Sequence, residues 1–215
     1  MMTALKLPFH VAIFCRPLIA GHVKTRLIPA YGAEGSARIY AQLVERTLRT
    51  VAETDATASL WVAGDAKHAS VTDWAQRYSI LVHSQCEGDL GERMSNCLAI
   101  LAATHESVLL IGTDCPAFTV ENLQAAAAAL NENCRWVFTP AEDGGYVLVG
   151  SNDPRTEPFA NIGWSTGTVM QQTRSALRAI ALRWAETTTL WDVDEAADVE
   201  RARAAGLIAI VAKAH

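Results

Sequence analysis

No apolar run in this 215-residue chain approaches the roughly 18 residues needed to cross a bilayer. The opening segment MMTALKLPFHVAIFCRP also lacks the charged start, apolar stretch and small-residue cleavage site of a secretory leader, so a cytoplasmic location without a membrane partner is expected. Basic charge is in deficit: 18 Lys and Arg stand against 23 Asp and Glu, a net charge of −5. That balance argues against nucleic acid as a partner, because such binders carry a basic patch and a high pI. The five cysteines, Cys15, Cys86, Cys97, Cys115 and Cys134, are odd in number and widely spaced with no CxxC, which fits reduced thiols better than a disulfide frame or a zinc site. The histidines (His10, His22, His68, His83, His105 and His215) show no metal-binding spacing. The phosphate-binding loop GxxxxGK[ST] is absent, and so is any internal repeat or linker beyond the alanine run 125–129.

What is present is a regular alternation. A chain of this length predicts one domain over residues 1–215, able to bury about 70% of its unfolded surface without staples. Its 37 alanines favour helix but fill little volume, so the bulky core must come from short Val/Ile/Leu/Phe/Trp runs. Such runs suggest strands at 10–16, 60–63, 79–83, 107–112, 136–139, 146–150, 187–190 and 207–211. Between them, helices are expected near 33–52, 66–77, 92–103, 120–130, 164–181 and 196–205, the fourth capped by Thr119, and a loop containing Pro154 and Pro158 precedes the fifth. Strands that alternate with helices imply a single-domain, Rossmann-like α/β fold, a mostly parallel central sheet flanked by helices.

In such a sheet ligands bind beyond the carboxyl ends of the strands, which directs attention to four loops. The first, from Arg16 to Leu27, carries Arg16, Lys24 and Arg26 with no acid and includes Gly21; it suits either a polyphosphate or plain solvent. The second, Thr113-Asp114-Cys115-Pro116, puts Asp114 at the tip of a buried strand, where it either holds a divalent metal or caps the next turn. Cys115 beside it reads as a small buried hydrophobe. The third, Glu142-Asp143-Gly144-Gly145-Tyr146, is a tight turn or a close approach of backbone to a ligand. The fourth runs from Trp191 to Asp198. Asp192 and Asp194 point the same way if the chain is extended there, and their mutual repulsion calls for a cation or for a role at the start of the last helix. Glu195 and Asp198 suit helix capping. Trp164 and Trp191 either pack or stack on a ligand.

Net charge hides this distribution. Residues 16–26 carry +3 with no acid, and residues 186–200 carry −6 with no base. If the fold brings both to one sheet edge, cations meet phosphate and carboxylates meet a metal.

The ordered motifs KTRL (Lys24 to Leu27), GDLGERM (Gly88 to Met94), GTDCP (Gly112 to Pro116), PAEDGGYVLVG (Pro140 to Gly150), WST (Trp164 to Thr166) and DVDEAAD (Asp192 to Asp198) span nearly the whole chain. They resemble a bacterial family of transferase-like proteins with the GT-A, nucleotide-diphospho-sugar transferase fold, named for association with radical-SAM and selenium-related proteins and in part as an arsenosugar glycosyltransferase. A more distant resemblance is to phospholactate and phosphoenolpyruvate guanylyltransferases. The likeness implies that Lys24 and Arg26, with Arg16 and Gly21 in the same loop, contact phosphates, and that Gly88 and Leu90 lie near the base. It further implies that Asp114 and Asp194, with Asp192, hold Mg²⁺ or Mn²⁺, and that Gly145, Ser165 and Thr166 border the acceptor. The chain departs from the family where Val147, Glu195 and Val199 stand, and Phe14-Cys15-Arg16-Pro17 replaces the LxxGxGxR loop of sugar-nucleotide synthases. The implied partners are a nucleoside triphosphate or nucleotide sugar and a small, anionic acceptor. Three functions follow as expectations: nucleotidyl transfer; glycosyl transfer, with Asp143 as the base; and nucleotide binding with little catalysis.

Overall fold

Residues 9–130, 133–153, 155 and 157–213 are described by the structure, a computed structural model; Pro154 and His215 lie outside them, as do the first eight residues of the opening segment. Among these residues seven strands form one sheet: β1 (His10–Cys15), β2 (Thr57–Val62), β3 (Leu81–Ser84), β4 (Val108–Ile111), β5 (Trp136–Pro140), β6 (Tyr146–Ser151) and β7 (Trp184–Glu186), in the order β3-β2-β1-β4-β6-β5-β7. β6 alone runs against its neighbours, antiparallel to both β4 and β5; the other pairings are parallel. The helices are α1 (Ile28–Ala52), α2 (Ala69–Tyr78), α3 (Leu90–Ala102), α4 (Val120–Ala129), α5 (Val169–Ala179) and α6 (Ala196–Ala204). Among the described residues, no helix is long and apolar enough to cross a membrane.

The central strands are apolar on both faces because helices cover both. Along β1, Val11, Ile13 and Cys15 join Leu109 and Ile111 of β4 and the helical Tyr40, Val44 and Leu123 in one core. The alternate residues Ala12 and Phe14 join Leu110, Trp136, Phe138 and Leu98 in the other. A third cluster, Leu27, Ile39, Leu43, Val193, Val199 and Ala202, fastens α6 and the segment before it to the start of α1. At about 25 cal/mol per Å² of apolar surface, each fully buried Leu or Ile contributes roughly 1.5–3 kcal/mol.

Helix starts follow their local chemistry. Asp89 and Glu92 form a reciprocal capping box on α3, Thr119 and Asn122 on α4, and Glu195 and Asp198 on α6, so the capping expected of Thr119, Glu195 and Asp198 is observed. α1 begins earlier than expected, at Ile28, because Pro29 suits a first helical turn and the chain continues through a kink at Gly32. The fifth helix starts later, at Val169, and the WST segment is loop. Two expected strands are corrected. The strand after α5 is Trp184–Glu186 rather than 187–190; Leu190 keeps only an isolated bridge to Ala141, because the chain there leaves the sheet edge to cross the ends of the strands. Residues 207–211 form no strand: Ile208 packs into the third cluster while Ile210 is 76% exposed, and the Ala209 N–H donates to the Gln42 side chain rather than to a strand.

His10 opens β1, buried, with its ring nitrogens 2.8 Å from Thr57 Oγ1 and 2.7 Å from Ser59 Oγ. Burial, with His105 and His83 nearby, pushes its pKa from 6.5 down to about 4. The unfolded chain therefore binds the extra proton in that window, and stability is lost as pH falls through it. In thermal unfolding, the wild-type chain should lose more stability between pH 6.5 and 4 than His10→Gln; equal acid lability would contradict a neutral His10.

Candidate functional site

All four loops singled out in the sequence arrive at one edge of the sheet. The carboxyl ends of β1, β4 and β5, the start of β6 and the 190–194 segment enclose a cleft of about 1020 Å³. The 190–194 segment is held across the strand ends by main-chain bonds: Leu190 N–H to Pro140 O (3.0 Å), Glu142 N–H to Leu190 O (3.0 Å) and Val193 N–H to Asp114 O (2.9 Å). Val193 is fully buried in the third cluster, which turns its neighbours Asp192 and Asp194 together into the cleft.

Lys24 occupies the centre of the charge cluster. Its left-handed backbone (φ 46°, ψ 48°) begins a 3₁₀ turn at Thr25–Leu27 and turns its side chain inward. The ammonium donates to Val193 O (2.5 Å) and to Asp194 Oδ1 (3.1 Å), and lies 3.0 Å from Asp114 Oδ2; the side chain is 6% exposed. Burial alone would push this lysine's pKa down, but the carboxylates of Asp114 and Asp194 offset it and hold it above the usual value. Arg26 bonds the other oxygen of Asp194 at 2.7 Å, with its side chain 67% exposed. Asp114 and Asp194 therefore converge on one cation, from segments eighty residues apart in sequence. Asp192 has a different setting: burial first, then Asp143 and Asp194, pushes its pKa up to about 6.

The donor chemistry suits a hard divalent cation. Among the described residues, no group of three His, Cys, Asp or Glu side chains forms a cage by itself. Two carboxylates meeting at one cation position, open to a cleft, match what Mg²⁺ uses when phosphate and water oxygens supply the remaining ligands.

The cleft's other residues sort by sheet position. Toward β2 and β3 lie Arg16, Ala63, Gln85, Leu90 and Arg93; toward β5 and β6 lie Asp143, Gly145, Tyr146, Ser165 and Thr166. Two residues of the expected nucleotide set do not line it. Gly21 is exposed elsewhere on its loop. Gly88, at φ 115°, serves the capping box of α3: a Cβ there would stand 2.2 Å from Glu92 Oε2. Cys115 is buried, and burial pushes its thiol up to about 12, as suits a small core residue. Trp164 packs on Gly91, Tyr146 and Phe159, and Trp191 lies under the Arg201 guanidinium, 4.2 Å from its ring centre.

Several residues of the site are not singled out by the sequence. Tyr40, in the middle of α1, receives the Arg16 N–H at 2.8 Å and donates to the Arg16 carbonyl at 3.1 Å, clamping the first loop at its root. Gln85 donates from its own side chain to Trp61 O at 2.9 Å and lines the cleft. Arg93 lies inside the GDLGERM motif and bonds Gly88 O at 2.9 Å. Motif spacing could have exposed Arg93, but a helical Tyr and a loop Gln have no local pattern.

Comparison with known proteins adds the following. A family model described as "Uncharacterized protein conserved in bacteria (DUF2064)" matches residues 47–166. Among curated proteins nothing matches the chain. Among solved structures, one from Desulfovibrio desulfuricans G20, described as a candidate nucleotide-diphospho-sugar transferase, is 26% identical with a TM-score of 0.78 over 87% of this chain and 82% of that one. A nucleotidyl transferase from Methanothermobacter thermautotroptrophicus is 14% identical, TM-score 0.63, over 95% and 99% of the two chains. Glucosyl-3-phosphoglycerate synthase from Mycobacterium tuberculosis, in complex with Mg²⁺ and UDP, is 10% identical, TM-score 0.53, over 94% and 76%. These likenesses establish the nucleotide-diphospho-sugar transferase fold.

The wall of the cleft formed by residues 141–145 depends on a close backbone approach. Gly144 has φ 90°, and a Cβ there would lie 2.0 Å from Gly167 O, while Gly144 O accepts from Met170 N–H at 2.9 Å. Gly144→Ala should therefore cost on the order of 2–4 kcal/mol in denaturant unfolding. A change below about 0.5 kcal/mol would refute this packing.

Proposed function

The chain belongs to the bacterial DUF2064 family, and we propose that it is a nucleotide-using, Mg²⁺-dependent transferase whose principal reaction is nucleotidyl transfer from a nucleoside triphosphate to a small anionic acceptor. The observation that carries this reading is the joint presence, in one cleft, of Asp114 and Asp194 converging on a cation position and of Arg26 at its open side. A bound Mg²⁺ would screen the charge of the polyphosphate and of its leaving group.

The protein's own groups have separate tasks. Arg26, two-thirds exposed, reaches the part of the cleft where the polyphosphate would lie; at an effective dielectric of about 20, a cation 4 Å from a phosphate charge is worth on the order of 4 kcal/mol before desolvation. The Arg16 main chain is fixed through the Tyr40 clamp, and the residue lines the side of β2 and β3, where Gln85, Leu90 and Arg93 would border the base. Ser165, Thr166 and the Gly145 backbone line the opposite side, where the acceptor would sit. An acceptor phosphate is already ionised, so it attacks the α-phosphorus without a general base, and pyrophosphate leaves. Catalysis then consists of positioning and charge stabilisation.

A second reading, glycosyl transfer from a nucleotide sugar, draws on Asp143. One of its carboxylate oxygens accepts the Gly145 N–H at 2.8 Å, which fixes the side chain in the cleft wall, where it could take a proton from an acceptor hydroxyl. A comparison of nucleoside triphosphates with nucleotide sugars, each with Mg²⁺ and a panel of small phosphorylated acceptors, separates the two. Pyrophosphate release is expected; consumption of a nucleotide sugar without it would favour the second. Nucleotide-dependent thermal stabilisation with no turnover would reduce the protein to a binding module.

Asp114→Asn should keep the fold and lower metal-dependent turnover about a hundredfold or more, as checked by initial rates. Full Mg²⁺-dependent activity in that variant would overturn the assignment of Asp114.

A further inference from the structure

The most telling feature of the cleft is that its one buried cation is already fully engaged. Lys24 has three protein acceptors within hydrogen-bond range, Val193 O and the carboxylates of Asp114 and Asp194, and a side chain almost closed to solvent. A lysine so committed cannot also contact a phosphate in the same arrangement. A divalent ion seated between Asp114 and Asp194 would need the oxygens that the ammonium holds.

We infer that Lys24 is a resident cation that occupies the Asp114–Asp194 pair in the free protein and is handed to substrate phosphates when a divalent metal takes its place. This rests on the nucleotide-and-metal reading of the cleft and deepens it. The two carboxylates are approached by mutually exclusive partners, so the metal alone must displace Lys24 and leave an ammonium without a counter-charge. Val193 O remains beside it but is uncharged. A polyphosphate arriving with the metal supplies the missing anion, so each ligand removes the obstacle to the other. The exchange is geometrically short: Lys24, Arg26, Asp114 and Asp194 all line the same cleft, and the lysine needs rotation of its flexible stem rather than movement of the backbone. Arg26 keeps a hold on Asp194 throughout, through the carboxylate oxygen opposite the one Lys24 uses. The consequence is positive coupling between metal and polyphosphate, and by reciprocity the effect is equal in both directions. Metal alone and free polyphosphate would each then bind the site only weakly.

The test uses the full-length protein, Mn²⁺ as the metal and pyrophosphate as the polyphosphate, with Mn²⁺ binding followed by electron paramagnetic resonance. In the wild type, Mn²⁺ alone should bind weakly and pyrophosphate should tighten it by about tenfold or more. Lys24→Met should bind Mn²⁺ alone about tenfold more tightly than the wild type, with the coupling to pyrophosphate reduced towards one. Equal Mn²⁺ affinity in the two proteins, with Mn²⁺ and pyrophosphate binding independently, would overturn the exchange while leaving the site reading intact. Failure of Mn²⁺ and pyrophosphate to bind the wild type even when supplied together would overturn the site reading itself.

Should Lys24→Met fail to fold, reductive methylation of the wild type followed by peptide mass spectrometry reads the same exchange. Lys24 should react far more slowly than the exposed Lys67 in metal-free buffer, faster when Mn²⁺ is added, and slowly again when pyrophosphate joins it. A Lys24 reactivity that Mn²⁺ leaves unchanged would refute the displacement.

Discussion

The attraction between one buried ammonium and two carboxylates from opposite parts of the chain governs the arrangement of the cleft. Lys24 is delivered by the loop after β1, Asp114 by the end of β4 and Asp194 by the segment that crosses the strand ends. Left alone, Asp114, Asp192, Asp194 and Asp143 would crowd negative charge at one sheet edge; burial first, and then Asp143 and Asp194, pushes the Asp192 pKa up to about 6, with Lys24 acting in the opposite direction. The lysine is nearly closed to water, whereas its partners are 45% and 37% exposed. Removing the lysine would therefore leave the two carboxylates able to recruit water, as the inferred exchange of cations requires.

The scaffold makes this possible by separating tasks along the sheet. With the order β3-β2-β1-β4-β6-β5-β7, the strand ends form a linear array: β3 and β2 at one side, β1 and β4 in the middle, β6 and β5 at the other. Charged chemistry sits at the middle pair, whose residues are buried in the cores on both faces of the sheet. β6 is the reversed strand, so the turn before it, residues 141–145, joins the parallel strand ends and adds Asp143 to the same edge. Around this core the surface ion pairs have lesser roles. Arg201 bonds both oxygens of Glu142 at 2.6 and 2.9 Å and steadies that turn against α6, but in an exposed position screened by solvent.

Much of this was legible in the sequence because it depends on local pattern. The hydrophobic runs of β1 and β4, the turn at 141–145 and the caps at Thr119 and Glu195 all carry their signals within a few residues. The strands near the carboxyl end were not legible. Thr187–Leu190 has strand-forming residues, yet main-chain bonds to Pro140 and the burial of Val193 draw that segment across the sheet edge instead. Residues 207–211 are apolar because Leu207 and Ile208 pad α1, not because they pair. In the site, the sequence pointed to Lys24, Arg26, Asp114 and Asp194 as a set, but not to how they pair: a lysine after β1 reads as a phosphate ligand, and only the fold turns it towards carboxylates 90 and 170 residues away. Tyr40 was out of reach for the same reason, since its hydroxyl meets Arg16 from 24 positions along the chain.

The most direct test of the central claim, that one cleft at the carboxyl edge holds a nucleotide by cations and a metal by Asp114 and Asp194, is the anomalous difference map of crystals grown with Mn²⁺ and a non-hydrolysable nucleoside triphosphate. A manganese peak between Asp114 and Asp194 is expected, with the polyphosphate against Arg26 and Lys24 and the base towards Gln85 and Arg93. A nucleotide bound outside this cleft, or a manganese peak remote from both aspartates, would contradict the account.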